Sequence, residues 1–302
     1  MKKRFLSALC ALALGASLTV PAFAQTTYAV SLSAEEAGSD VPTLLTIPAQ
    51  TPAAVGEEPA RIVIAAPAAG AAVEIAVTGN AQKADVFLLE SNGTYTTAED
   101  TVMGGGSVCT MLPTASATVI LLQKPPFTDV SRSAWYYSGV AYAYHNSLMS
   151  GTSAAKFAPN GKTDRAMLAT ILWRSAGQPT ASGSFRDVSA GKYYANAAAW
   201  MNSTGIMTGS GSGNFNPGGT LSREQLAVTL YRYARYSGKN VDRRADLSAY
   251  NDGAKVSSWA KDAMAWAVAE GLISGSNANK LNPGGAASRA QLATILMRYF
   301  AQ

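Results

Sequence analysis

The stretch Asn282-Pro283-Gly284-Gly285-Ala286-Ala287-Ser288-Arg289-Ala290-Gln291-Leu292 recurs twice earlier in the chain. The other copies run from Asn216-Pro217 to Arg223-Glu224-Gln225-Leu226 and from Ala158-Pro159 to Arg165-Ala166-Met167-Leu168. In every copy the arginine stands six residues after the proline and three before the leucine. Most of the stretch reads as the end of a loop and the start of a helix. Ser222 with Gln225, and Ser288 with Gln291, fit a capping box, in which the serine oxygen accepts a backbone N–H and the glutamine reaches back. In the first copy Asp164 can cap, but Met167 cannot reciprocate. The arginine has no such explanation, because the first turn of a helix carries the positive end of its dipole. Arg165, Arg223 and Arg289 therefore suggest selection for something outside the helix, such as an anion site, unless the repeats simply share ancestry.

The similarity extends on both sides of this stretch. The copies open with Phe127-Thr128-Asp129-Val130, Phe185-Arg186-Asp187-Val188 and Tyr250-Asn251-Asp252-Gly253. Trp135, Tyr193 and Trp259 follow; seven residues after those come Tyr142, Trp200 and Trp266, and nine further on Gly151, Gly209 and Gly275. The aromatic pairs, with alanines between them, predict an opening amphipathic helix of about three turns. A glycine-rich loop comes next, pinned by the apolar plug Phe157, Phe215 or Leu281. The second helix is marked by Leu168, Ile171 and Leu172, by Leu226 and Leu230, and by Leu292, Ile295, Leu296 and Tyr299. Three helix-loop-helix repeats result, over 125–178, 183–243 and 247–302, and repeats of this kind bury a continuous core by packing on one another.

Upstream, Lys2, Lys3 and Arg4, an apolar run from Phe5 to Val20 and the small residues of Pro21-Ala22-Phe23-Ala24 read as an export signal over 1–24. The run is shorter than the roughly 20 apolar residues that span a bilayer, and no later segment is long enough, so no membrane span is expected after its removal. Loss of those three cations takes the formal charge from +5 to +2. Scattered arginines without a basic face make nucleic acid a poor partner. Cys10 falls in the signal, leaving Cys109 alone, with no internal disulfide and the character of a small buried apolar side chain.

Prolines, alanines and acidic residues suggest a flexible segment over 25–60, although Tyr28 to Leu32 has strand character. Further β-branched runs from Arg61 to Ala65, Val73 to Val77, Asp85 to Leu89 and Thr118 to Leu122 predict a small all-β domain over 61–124, a sandwich or barrel. Ser91-Asn92-Gly93 signals a hairpin. Gly104-Gly105-Gly106 lacks the following lysine and helix of a phosphate loop and reads as a turn.

The Phe-x-Asp opening, the helix aromatic, the glycine loop, the Phe-x-Pro plug and the arginine-bearing cap resemble the S-layer homology family from Phe127 to Tyr299. That family's Thr-Arg-Ala-Glu signature is matched here by Asp164-Arg165-Ala166-Met167, Ser222-Arg223-Glu224-Gln225 and Ser288-Arg289-Ala290-Gln291, with the arginine kept and the terminal glutamate lost each time. The resemblance implies an α-helical pseudo-trimer of the three repeats. It also implies a secreted protein at the bacterial cell surface, anchored non-covalently to the wall. Its inter-repeat grooves would bind a secondary cell-wall polysaccharide, often one bearing a ketal-linked pyruvate. In such a groove a guanidinium can hold a carboxylate through two parallel hydrogen bonds. Backbone N–H groups at Gly151, Gly209 and Gly275 would meet sugar hydroxyls. Trp135, Tyr193 and Trp259 would either cover a sugar ring or pack against a neighbouring repeat.

Two other functions compete with anchoring. A self-assembling surface lattice would need more self-associating surface than the small N-terminal part offers. A wall-acting hydrolase would need a catalytic constellation, and His145, the one histidine, has no counterpart in the other repeats and no paired nucleophile or carboxylate. Asp129, Asp187 and Asp252 recur, but one carboxylate per repeat without clustered partners does not make a metal site, and turn or helix-entry capping explains them better. No cofactor is implied.

Overall fold

The structure is a computed structural model describing residues 27–31, 43–46, 60–65, 72–76, 84–91, 94–98, 100–103, 107–111, 116–183, 185–209, 211–275 and 279–301. The export signal, Asn92-Gly93 and Gly104-Gly105-Gly106 lie outside the described residues. The chain divides into two compact units, one comprising 1–126, 132–145 and 301–302, the other 127–131 and 146–300.

Among the described residues the first unit carries nine strands in two sheets: β1 (Thr27–Ser31), β2 (Thr43–Thr46), β3 (Ala60–Ala65), β4 (Ala72–Ala76), β5 (Ala84–Leu89), β6 (Tyr95–Thr97), β7 (Asp100–Met103), β8 (Ser107–Met111) and β9 (Ser116–Gln123). One sheet has the order β1-β3-β9-β5-β6 and the other β2-β4-β8-β7. The five runs expected from β-branched residues are all strands. Two strands, β1 and β2, fall within 25–60, where prolines and alanines suggested a flexible segment. They pair in parallel with β3 and β4, so part of 25–60 joins the same sheets as the strands that follow. The anticipated hairpin is β5–β6, an antiparallel pair with Leu89 opposite Tyr95.

This unit also takes the opening helix of the first repeat, α1 (Tyr137–His145). Phe87 of β5 stacks on Tyr137 with ring centroids 6.1 Å apart, and Tyr95 meets Tyr142 edge-on at 5.2 Å. Asp85, fully buried, accepts a 2.6 Å bond from Arg132 Nε and a further one from the Tyr137 hydroxyl. Arg132 also donates to the carbonyl of Ala98 at 3.1 Å. A buried carboxylate is tolerated only with such partners, so Asp85 fixes the approach to α1 against β5.

The second unit contains α2 (Arg165–Ser175), α3 (Ala195–Ser203), α4 (Arg223–Tyr236), α5 (Lys261–Ala269) and α6 (Arg289–Phe300). Helix α2 packs on α3 and α4 on α5, so the second helix of one repeat meets the first helix of the next. The leucine and isoleucine stripe is buried as expected, with Leu168, Leu172, Leu226, Leu230, Leu292 and Leu296 fully so. The opening helices differ from expectation: each has nine residues and starts after the first aromatic of its pair. Trp200 and Trp266 are buried at 2% exposure, whereas Trp135, Tyr193 and Trp259 stand 67%, 64% and 57% exposed. They are not the first rung of a buried helical face.

Candidate functional site between the repeats

Three short segments, 162–164, 220–222 and 286–288, exchange backbone hydrogen bonds in a closed cycle. Thr163 N donates to Ala287 O at 3.0 Å, Ala287 N to Leu221 O at 2.9 Å, and Leu221 N to Thr163 O at 3.0 Å. All three residues are fully buried. A second cycle begins at the first residue of each of the helices α2, α4 and α6. Arg165 N donates to Gly219 O, Arg223 N to Gly285 O and Arg289 N to Gly161 O, at 2.8–3.1 Å. The next amides, of Ala166, Glu224 and Ala290, reach Pro217 O, Pro283 O and Pro159 O at 2.9–3.0 Å. Each helix start is thus seated on the proline-glycine turn of a different repeat, and the third repeat returns to the first.

The caps complete this arrangement. Met167 N donates to Asp164 Oδ1 at 2.7 Å, while Gln225 N and Gln291 N donate to Ser222 Oγ and Ser288 Oγ at 3.2 Å. Gln225 and Gln291 reciprocate through Oε1 at 3.1 Å, and Met167 does not. The orphan amides at the starts of α2, α4 and α6 are therefore already used, and these three helix starts offer a ligand no free backbone donors.

The recurring arginine has a structural partner after all. Arg165 donates Nε to Phe215 O at 2.7 Å and NH2 to Thr208 O at 2.6 Å. Arg223 does the same to Leu281 O and Ser274 O at 2.7 and 3.0 Å, and Arg289 to Phe157 O and Ser150 O at 2.7 and 2.6 Å. Each guanidinium leaves its own helix and clasps the glycine loop of another repeat, which a dipole argument confined to one helix could not reveal. The Arg165 and Arg289 guanidinium groups also lie 4.9 and 4.6 Å from the ring centroids of Phe215 and Phe157, a cation–π distance. Burial pulls all three guanidinium groups below their ordinary pKa, opposed by the fields of Asp187, Asp252 and Asp129 respectively, with Asp164 adding to the last.

Those aspartates do not cap turns or helix entries. Asp129 accepts from Phe157 N and Ala158 N at 2.9 Å, Asp187 from Phe215 N and Asn216 N at 2.7 Å, and Asp252 from Leu281 N and Asn282 N at 2.7 and 2.8 Å. The plug residue is gripped at both ends, its N–H by the aspartate of its own repeat and its carbonyl by the arginine of another. Among the described residues no group of three His, Cys, Asp or Glu side chains could hold a metal ion.

The glycines have a packing role. A Cβ on Gly151 would meet Ser153 O at 2.3 Å and Phe127 Cε1 at 2.6 Å. Gly209 and Gly275 are crowded in the same way by Phe185 and Tyr250. The Phe-x-Asp aromatic therefore sits on the loop glycine.

A cleft of about 260 Å³ unites one predicted residue from each repeat, Arg165, Gly209 and Trp259. Helix α4 lines it with Gln225, Val228, Thr229 and Arg232, and the second repeat's loop adds Thr208, Asn216 and Thr220. Trp259 lies in a 3-10 turn, Ser258–Ala260, directly before α5. Tyr193 occupies the corresponding place before α3; burial first, then the fields of Asp164 and Tyr194, raise its hydroxyl pKa against the opposing Arg174. Trp135 belongs to the sheet-bearing unit. The sequence reading missed Arg232, although arginines nine residues beyond the first, Arg174, Arg232 and Arg298, recur as regularly as the first set.

The S-layer homology domain model matches residues 126–167, 184–227 and 249–293. Three tandem S-layer homology repeats therefore occupy the chain between 126 and 293. It is 30% identical over 190 residues to the surface-layer 125 kDa protein of Lysinibacillus sphaericus, covering 61% of this chain and 16% of that one. It is 29% identical over 173 residues to an endoglucanase of Bacillus sp. (strain KSM-635), covering 57% of this chain and 18% of the relative. An S-layer protein of Bacillus thuringiensis subsp. finitimus is 26% identical over 179 residues, covering 57% and 21%. The chain thus spans about a fifth or less of the length of these relatives. No helix among the described residues is long and apolar enough to cross a membrane.

Proposed function

We propose that the protein is anchored at the bacterial cell surface by its repeats, which bind an anionic secondary cell-wall polysaccharide, of the pyruvylated kind, between neighbouring repeats. The S-layer homology domain is a binding and anchoring module, and relatives named as surface-layer proteins support the location. The two closed cycles of hydrogen bonds support a pseudo-threefold unit with its grooves between repeats. The observation that carries the reading is the Arg165 cleft. It joins guanidinium, loop and exposed indole from three repeats, the donors and apolar face that a carboxylated sugar requires.

The N–H groups that cap the helices are consumed internally, so the side chains of Arg165, Gln225, Thr229 and Arg232 take over the polar recognition. Sedimentation of the full chain with purified cell walls, before and after chemical removal of the secondary polymer, tests the proposal. Co-sedimentation should be lost with the polymer; binding that survives its removal would overturn the reading. The relatives named as S-layer proteins favour one further reading, assembly of the protein into a surface lattice. Ordered sheets of the purified protein in electron micrographs would establish it.

A further inference from the structure

The three arginines recur, but their surroundings do not. The third residue of the second helix is Gln225 in the second repeat, Gln291 in the third and Met167 in the first. Both glutamines turn Oε1 to the capping N–H at 3.1 Å, which leaves their Nε2 groups as donors. Met167 supplies no such donor, and its Sδ lies 3.5 Å from Arg289 NH1. With Nε on Phe157 O and NH2 on Ser150 O, all three Arg289 nitrogens then have protein partners. Arg165 and Arg223 use Nε and NH2 in the same way, but their hydrogen bonds to the described residues leave NH1 over in both. The outer arginines differ too. Arg232 reaches Gly205 O only at 3.5 Å, whereas Arg298 donates to Gly271 O at 3.1 Å and Leu272 O at 3.4 Å.

We infer that the repeats are not interchangeable: the Arg165 cleft is the carboxylate-binding site, with Gln225 and Arg232 as its specificity-determining donors, and Met167 silences the corresponding place beside Arg289. This rests on the anionic-glycan reading above. A carboxylate entering beside Met167 would give up water for a thioether that donates nothing, and Arg289 would have to release the sulfur to greet it. In the Arg165 cleft the same carboxylate meets NH1 of Arg165, the Gln225 amide and the weakly held Arg232 guanidinium, with Trp259 flanking the sugar ring.

Exchanging the two residues tests the inference without touching the arginines that clasp the loops. Gln225→Met reproduces the arrangement of the first repeat, and Met167→Gln that of the second, so both variants retain a pattern this fold already uses. The probe is a 4,6-O-pyruvylated methyl hexoside, titrated calorimetrically into the full chain, with its methyl ester as the uncharged control. Wild type should bind the acid and not the ester. Gln225→Met and Arg232→Gln should each weaken binding about tenfold, the loss of one charge-assisted hydrogen bond. Met167→Gln should raise the stoichiometry by one site, and Arg174→Gln should leave the affinity unchanged. If wild type binds the acid but Gln225→Met binds equally well, or Met167→Gln adds no site, the non-equivalence is wrong while the anionic-glycan reading stands. If wild type does not bind the acid, both fail.

Discussion

Arg289 donates its Nε to the carbonyl oxygen of Phe157, 132 residues earlier in the chain, at 2.7 Å. The same side chain holds Ser150 O at 2.6 Å, and Arg289 is itself buried at 6% exposure. Replacing it with alanine would strand two carbonyls in the interior of the repeat unit and undo the link from the third repeat to the first. We expect Arg289→Ala to lower unfolding stability by about 3 kcal/mol, the scale of two hydrogen bonds to a charged donor less partial resolvation. Arg289→Lys keeps the charge but not the fork, and should fall between alanine and wild type. Urea denaturation followed by circular dichroism measures this; an alanine variant as stable as wild type would mean the clasp contributes nothing.

The aspartates that hold the plug amides make the repeats sensitive to acid. At Asp129, Asp187 and Asp252 desolvation pushes the pKa up, but hydrogen bonds from two loop amides, with further help from the aspartate's own amide and a nearby cation, outweigh it and hold the carboxyl below its ordinary value. A carboxylate with a lower pKa in the folded chain than in the unfolded one stabilises the fold above its unfolded value, and that contribution vanishes as pH falls through the folded value. The thermal midpoint of the repeats should therefore stay level down to about pH 4 and drop below it. Asp252→Asn should start from a lower midpoint at neutral pH and lose less on acidification. A wild-type midpoint unchanged at pH 2.5 would refute the assignment.

The helix-loop-helix repeats were legible because their signals are local: leucine spacing, a capping serine with its glutamine, a proline closing a loop. What the arginine does was not legible, because its acceptors are backbone carbonyls of another repeat, and carbonyls leave no mark in a sequence. The aspartates misled for the same reason, since their partners are amides 28–30 residues away. Trp135, Tyr193 and Trp259 matched a helical period by coincidence of spacing with Tyr142, Trp200 and Trp266. Exposed on short turns before the helices, they are more available to a ligand than a buried rung would be. The second set of arginines was visible and overlooked, because nine residues is not a spacing that one helix face advertises.

Ala158 is a place where the first repeat departs from the other two. It sits at φ 56°, in the left-handed region, as do Asn216 at 57° and Asn282 at 50°. Asparagine tolerates this conformation, whereas a residue with an ordinary Cβ incurs roughly 1–2 kcal/mol there. In the later repeats the asparagine side chain also covers Gly219 and Gly285, the latter so closely that a Cβ would meet Asn282 Nδ2 at 2.2 Å. Gly161 stands at the matching place in the first repeat. Ala158→Asn is therefore expected to stabilise the repeats by about 0.5–1 kcal/mol. A lower thermal midpoint in the variant would count against it.

Asp85 and Arg132 test where the opening helix of the first repeat belongs. The carboxylate is fully buried while the Arg132 side chain is 34% exposed, so the pair is partly screened by solvent. Removing the guanidinium by Arg132→Ala leaves Asp85 with the Tyr137 hydroxyl as its remaining side-chain partner described, and should weaken the sheet-bearing unit by about 2 kcal/mol, below the usual toll of breaking a fully buried pair. Replacing both charges, Asp85→Leu with Arg132→Met, should recover most of that loss. Amide hydrogen exchange locates the effect. In Arg132→Ala, protection should fall together over 84–89 and 137–145 and stay unchanged over 223–236. If instead 137–145 keeps its protection while 84–89 loses it, α1 draws its stability from the repeats and not from the sheet.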